Sequence, residues 1–133
     1  SNFGIVINWG RSVIENRNVK GPLKHIKYAD QNNVLGGIMF SGTTANNNNL
    51  YGPWSDLHMP PALFSDYKYF EPESLMSYKN IKRTLAACDF SSLDYLGLKL
   101  LAMPKESSIK KRVAINRDTM YLLDQAMAEL YKA

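Results

Sequence analysis

The chain has 133 residues, 45% hydrophobic and 21% charged, which suits one domain with one core and excludes a low-complexity or disordered polymer. No apolar run approaches the roughly 20 residues of a membrane-crossing helix, and no basic stretch followed by an apolar signal core opens the chain, so a cytoplasmic protein without a membrane partner is expected. The net charge of +4 comes from scattered Lys and Arg; the densest group, Lys105 to Arg112, lacks interleaved aromatics and reads as a solvated loop, which argues against a nucleic-acid partner.

Ile5 to Asn8 is a β-branched apolar run of strand length. Gly21-Pro22 marks a helix start, and Leu23, Ile26 and Ala29 follow at helical spacing until Asn32-Asn33 stops them. Val34 to Phe40 reads as a second buried strand, with Gly36-Gly37 leaving space for close packing. Residues 41–71 form a long loop holding Asn46-Asn47-Asn48-Asn49, Pro53 and Pro60-Pro61. Loops of that length are usually functional or disordered. Here Tyr51, Trp54, Phe64, Tyr67, Tyr69 and Phe70 offer enough apolar area to pack, so a mobile tip at the Asn run and an ordered remainder are expected.

Pro72-Glu73 opens the next helix, whose apolar face is Leu75, Tyr78, Ile81, Leu85 and Cys88. The lone Cys88 sits in an apolar run, far from any activating cluster, and reads as a structural thiol. Tyr95 to Leu101 is the third strand, ended by Pro104. A Lys- and Ser-rich loop then reaches Ile115, and Asn116 caps a final helix with Met120, Leu123, Met127 and Leu130 in its stripe. Strand and helix thus alternate three times. That pattern argues an α/β fold: three βα units of a parallel sheet in a single partial domain over residues 1–133. Three strands make a thin sheet, and the chain reads as the remainder of something longer.

Ligands in parallel α/β sheets meet the protein beyond the carboxyl ends of the strands. Strand parity puts Val6 and Asn8 on one face, as it does Gly37, Met39 and Ser41, and Gly97 and Lys99; Leu96, Leu98 and Leu100 take the opposite, helix-covered face. Asn8, Ser41 and Lys99 are therefore expected to converge near one mouth. Asn8 can orient a substrate hydroxyl or fix backbone. Arg11 can grip a carboxylate or phosphate, or bond loop carbonyls. Asp56 and His58, two apart in a loop stiffened by Trp54 and prolines, can reach one centre as proton carrier or metal ligand, or be a turn Asp and a surface His. Lys99 within a strand demands an anionic partner, from the substrate or from a missing strand. Trp9 and Trp54 can stack on a ligand or wall the core. His25 falls on an exposed helix face.

The segments Ile7-Asn8-Trp9-Gly10-Arg11-Ser12-Val13-Ile14-Glu15, Gly37-Ile38-Met39-Phe40-Ser41-Gly42, Trp54-Ser55-Asp56-Leu57-His58-Met59-Pro60 and Tyr95-Leu96-Gly97-Leu98-Lys99 resemble the C-terminal part of xylose-isomerase-like TIM barrels. Within that superfamily they look most like an uncharacterised bacterial family loosely described as sugar phosphate isomerases or epimerases. The resemblance implies that the three strands are the last three of an eight-stranded barrel, which takes about 250 residues. It implies a small-molecule sugar or sugar phosphate as substrate and proton abstraction next to a carbonyl. Asp56, His58 and Lys99 would be catalytic, and Asn8, Trp9, Arg11, Ser41 and Trp54 would bind substrate. Superfamily isomerases commonly hold a divalent metal, but a Glu usual on the last strand is replaced by Lys99, and the strand ending at Ser41 has no His at its tip, so the metal is left open. The segment alone is expected to be inactive, and its open strand edges to recruit another copy or the missing N-terminal part. A non-catalytic carbohydrate-binding or regulatory module on a degenerate barrel is the alternative. A small flavodoxin-like domain fits the alternation but lacks a phosphate-cradling Gly loop before the first helix.

Overall fold

Among the described residues three short parallel strands form one sheet: β1 (Ile5–Asn8), β2 (Leu35–Phe40) and β3 (Tyr95–Leu98), in the order β1-β2-β3. In this computed structural model residues 3–62 and 66–132 are described, so Phe64 lies outside the described residues. The register runs Asn8 to Met39 and Met39 to Gly97, with Phe40 opposite Leu98. Ile7, Ile38, Phe40, Leu96 and Leu98 therefore face one side, where they meet Trp9, Val13, Ile26, Ile81, Leu85, Leu122 and Leu123 in the core. Ile38 and Phe40 are fully buried, while Val6 and Lys99 on the other face are exposed. The alternation of period two placed the two faces as expected. Gly37 shows why bulk is excluded: a Cβ there would lie 2.7 Å from the Cβ of Tyr95.

Among the described residues there are four α-helices: α1 (Trp9–Asn16), α2 (Gly21–Gln31), α3 (Tyr78–Ala86) and α4 (Ile109–Lys132). α1 is not among the elements expected from the sequence, where the first helix signal after Asn8 is Gly21-Pro22. Asn8 instead ends β1 in an extended conformation and caps α1, its Oδ1 accepting from the Arg11 N–H at 3.2 Å. His25 is also corrected. Its Nδ1 lies 2.8 Å from Ser12 Oγ and its Nε2 3.7 Å from Glu15, so it ties α2 to α1 and is half-buried.

The other boundaries move for visible reasons. α3 starts at Tyr78 because Ser77 caps it and because residues 74–76 bond elsewhere: Ser74 N–H to Glu71 O, Leu75 N–H to Thr43 O, and Met76 O accepts from Ala62. Ser108, not Asn116, opens α4, its Oγ accepting from Lys111 N–H at 3.1 Å. Lys110, Lys111 and Arg112 are thus first-turn helix residues rather than a solvated loop. β3 ends at Leu98, since Lys99 N–H still bonds Phe40 O but Leu101 N–H turns away to His58 O. The Asn run expected as a mobile tip is a hydrogen-bonded turn, with Asn46 Oδ1 accepting from Asn48 N–H, Asn49 Oδ1 from Tyr51 N–H, and Asn49 Nδ2 donating to Glu73. Cys88 is half-buried with Sγ 3.8 Å from Leu85 O, and burial pushes its thiol up to about 11.

Candidate functional site

The carboxyl end of β1 delivers Arg11 through the cap just described. Because Asn8 turns the chain directly into α1, Arg11 falls in the first helical turn and leaves the sheet at its carboxyl edge. Its Nη2 donates to Asp56 Oδ2 at 2.9 Å, with both side chains substantially solvated. Such a pair adds little stability, about 0–1 kcal/mol, so its effect is to aim the carboxylate. α1 sits hard against the end of β2: a Cβ on Gly10 would collide with the Ser41 carbonyl oxygen.

The long loop is clamped to the strand ends. Gly42 and Met59 exchange two backbone bonds of 2.9 and 3.1 Å, Trp54 N–H donates to Thr44 O, Thr43 Oγ1 donates to Ser55 O, and Leu101 N–H donates to His58 O at 2.8 Å. His58 is thus held between the end of β2 and the segment that follows β3. Its backbone is left-handed, at φ 55°, as is that of Trp54 at φ 48°. A non-glycine residue there is held at a cost of about 1–3 kcal/mol, a pattern that concentrates at functional sites.

This geometry sets Ser41 Oγ 2.9 Å from His58 Nδ1, with Asp56 Oδ1 3.7 Å from the same nitrogen. Arg11, Asp56, His58 and Ser41 therefore form one connected chain of side chains. Ser41 is 1% exposed, and the partner of its hydroxyl is the ring. Both neighbours crowd Nδ1. His58 Nε2 has no hydrogen-bond partner among the described residues, and about a quarter of the side chain reaches solvent. A carboxylate near Nδ1 favours a proton there, which leaves Nε2 with its lone pair outward.

The remaining expected residues divide. Lys99 is exposed, its N–H bonded to Phe40 O at the level of Ser41, and its Nζ has no partner among the described residues. Asn8 serves as the α1 cap. Trp9 is fully buried and donates from Nε1 to Thr84 Oγ1 at 2.9 Å, so it belongs to the core. Trp54 is half-buried against that core, with the Arg17 guanidinium 5.9 Å from its ring. One contributor had no signal in the sequence beyond being an aromatic in the loop. Tyr51 is buried and donates its hydroxyl to Leu101 O at 2.7 Å, which fixes the residue that holds His58. Burial, with the Glu71 charge nearby, pushes its phenol up to about 12.

A cavity of about 260 Å³ opens beside that segment, lined by Leu100, Leu101, Ala102, Arg112, Ile115 and Asn116. Among the described residues no three His, Cys, Asp or Glu side chains converge as a metal site. Asp56 and His58 are two such donors, and Asp56 is already engaged by Arg11.

The chain is thus an α/β unit whose polar side chains gather at the carboxyl end of a parallel sheet. Residues 1–115 match the family model described as Domain of unknown function (DUF4862), and the chain belongs to that family. It is similar to "Uncharacterized protein STM3670" of Salmonella typhimurium, at 39% identity over 124 residues. That match covers 93% of this chain and 37% of the relative, so the chain spans little more than a third of the relative's length. No solved structure matches it at a significant level.

Proposed function

We propose that this chain supplies part of the active site of a sugar or sugar phosphate isomerase or epimerase, and that its three βα units are the last three of a xylose-isomerase-like (β/α)8 barrel. The observation that carries the reading is the Arg11–Asp56–His58–Ser41 chain at the carboxyl ends of parallel strands, with Nε2 of the imidazole left free. In this reading His58 Nε2 takes the proton from the carbon next to the substrate carbonyl. The Asp56 carboxylate stabilises the imidazolium that forms, and Ser41 keeps the ring from rotating. Lys99 and the outward N–H groups of Arg11 hold the negative charge that develops on the carbonyl oxygen or sits on a phosphate.

The donor arrangement favours proton transfer over a serine-nucleophile reaction. A nucleophilic Ser needs an accessible Oγ with the base on the far ring nitrogen from its carboxylate, whereas here Ser41 is buried and shares Nδ1 with Asp56. The test is incubation of the full-length protein in D2O with a panel of aldoses, ketoses and their phosphates, followed by NMR of the recovered sugar. Deuterium next to the carbonyl in one substrate, lost in His58→Gln and reduced by orders of magnitude in Lys99→Ala, is the expected result. Binding without exchange at saturating sugar would assign the site to a carbohydrate-binding module instead.

A further inference from the structure

α4 is apolar on two opposite faces. One face, with Ile115, Leu122, Leu123 and Ala126, is buried. Opposite it, Val113, Met120, Tyr121 and Tyr131 are 55%, 44%, 58% and 69% exposed. With 3.6 residues per turn, Val113, Arg117, Met120, Asp124 and Tyr131 fall in a stripe about 60° wide that runs along most of a helix about 36 Å long. Single exposed apolar residues are ordinary, but several gathered on one helix face among charges mark a surface that is covered. At its ends the stripe meets the protein, Tyr131 packing edge-on against Phe90 with ring centroids 5.1 Å apart and Val113 and Arg117 bordering a cleft with Lys68 and Tyr69, so its open part centres on Met120, Tyr121 and Asp124.

Its charges identify what covers it. Arg117 and Asp124 have opposite sign and lie symmetrically about a point between Met120 and Tyr121. Arg117 Nε is 3.7 Å from Asp118, which leaves its Nη groups free to reach outward. If a second α4 is laid antiparallel across the first with a two-fold axis at that point, each Arg117 meets the Asp124 of the other copy, and Met120 packs on Tyr121. The exposed Ala128 then faces Val113 and lets the helices approach. A parallel pairing would set like charges opposite one another. A self-complementary patch is what a two-fold interface requires.

We infer that the outward face of α4 is an isologous docking surface for a second copy of this chain. The test uses the complete polypeptide containing this segment, in sedimentation equilibrium. The wild type should be a dimer. Arg117→Asp and Asp124→Arg should each weaken association about tenfold or more, because each sets like charges opposite, and the combined Arg117→Asp/Asp124→Arg variant should restore it with the signs exchanged. Should a charge reversal unfold the protein, Met120→Cys provides the second readout: beside the axis it should cross-link to its own copy on oxidation, while Tyr131→Cys, far from the axis, should not. A monomer at every concentration, a dimer indifferent to both reversals, failure of the combined variant to recover, or cross-linking at position 131 in place of 120 overturns the inference.

Discussion

Replacing Ser41 with alanine in the full-length protein removes one oxygen from a site that is 1% exposed, so little else changes. The lost bond is the 2.9 Å contact to His58 Nδ1. A hydrogen bond of this kind contributes about 0.5–1.5 kcal/mol net, which corresponds to a fall in turnover of about 2- to 13-fold if it all serves to orient the ring. The partly exposed imidazole can satisfy Nδ1–H with water, so the fold should tolerate the change. Steady-state kinetics on the substrate found by deuterium exchange should show kcat reduced and KM nearly unchanged, with a shifted pH profile. His58→Gln should cost far more, about 10²- to 10⁴-fold, since it removes the proton carrier itself. If Ser41→Ala were as damaging as His58→Gln, Ser41 would be a reacting group and the positioning role would be wrong. If it were silent in both kcat and pH profile, the bond would not orient the ring.

Further outcomes follow from the packing. Trp9→Phe loses the buried bond to Thr84, whose hydroxyl still donates to Asn80 O, and should destabilise by about 1–3 kcal/mol in urea unfolding. Gly10→Ala places a Cβ against the Ser41 carbonyl and should push α1 from the end of β2, costing about 1–3 kcal/mol and lowering turnover without touching any ionisable group; unchanged stability would refute the close approach. Cys88, raised from 9.0 to about 11 by burial and by the charges of Asp30 and Asp89, should label with thiol reagents at pH 8 far more slowly in the folded protein than in the unfolded one. Because that folded value is the higher one, its contribution to stability is fully present below pH 9 and lost as pH rises through about 11, which alkaline denaturation curves should reveal.

The sheet was legible because it is written in local pattern. Ile5–Asn8 appeared with its observed bounds, and the alternation of Leu96, Gly97, Leu98 and Lys99 separated core face from open face. α1 was not legible, because Asn8-Trp9-Gly10-Arg11-Ser12 also reads as a strand running into polar site residues. The cap bond from Asn8 Oδ1, with Trp9 and Val13 one turn apart, decides for helix. The starts of α3 and α4 were misplaced because Pro72 and Asn116 are good helix signals that tertiary bonds override, through Thr43 and Ala62 in one case and the Ser108 cap in the other. At the site, Asp56 and His58 announced themselves by spacing and Lys99 by its oddity in a strand. The link from Arg11 to Asp56 and the seat of Ser41 under His58 could not be read, since both join residues far apart in the chain. Trp9 belonged to the core for the same reason: its partner Thr84 is 75 residues away.

The account depends on the state of one ring nitrogen. With ¹⁵N-labelled histidine in the full-length protein, and the His58 signals identified by their loss in His58→Gln, the neutral imidazole should carry its proton on Nδ1, facing Ser41 and Asp56, with Nε2 unprotonated and able to accept a proton. A proton resident on Nε2 in the neutral ring would contradict the proposal that this nitrogen is the base.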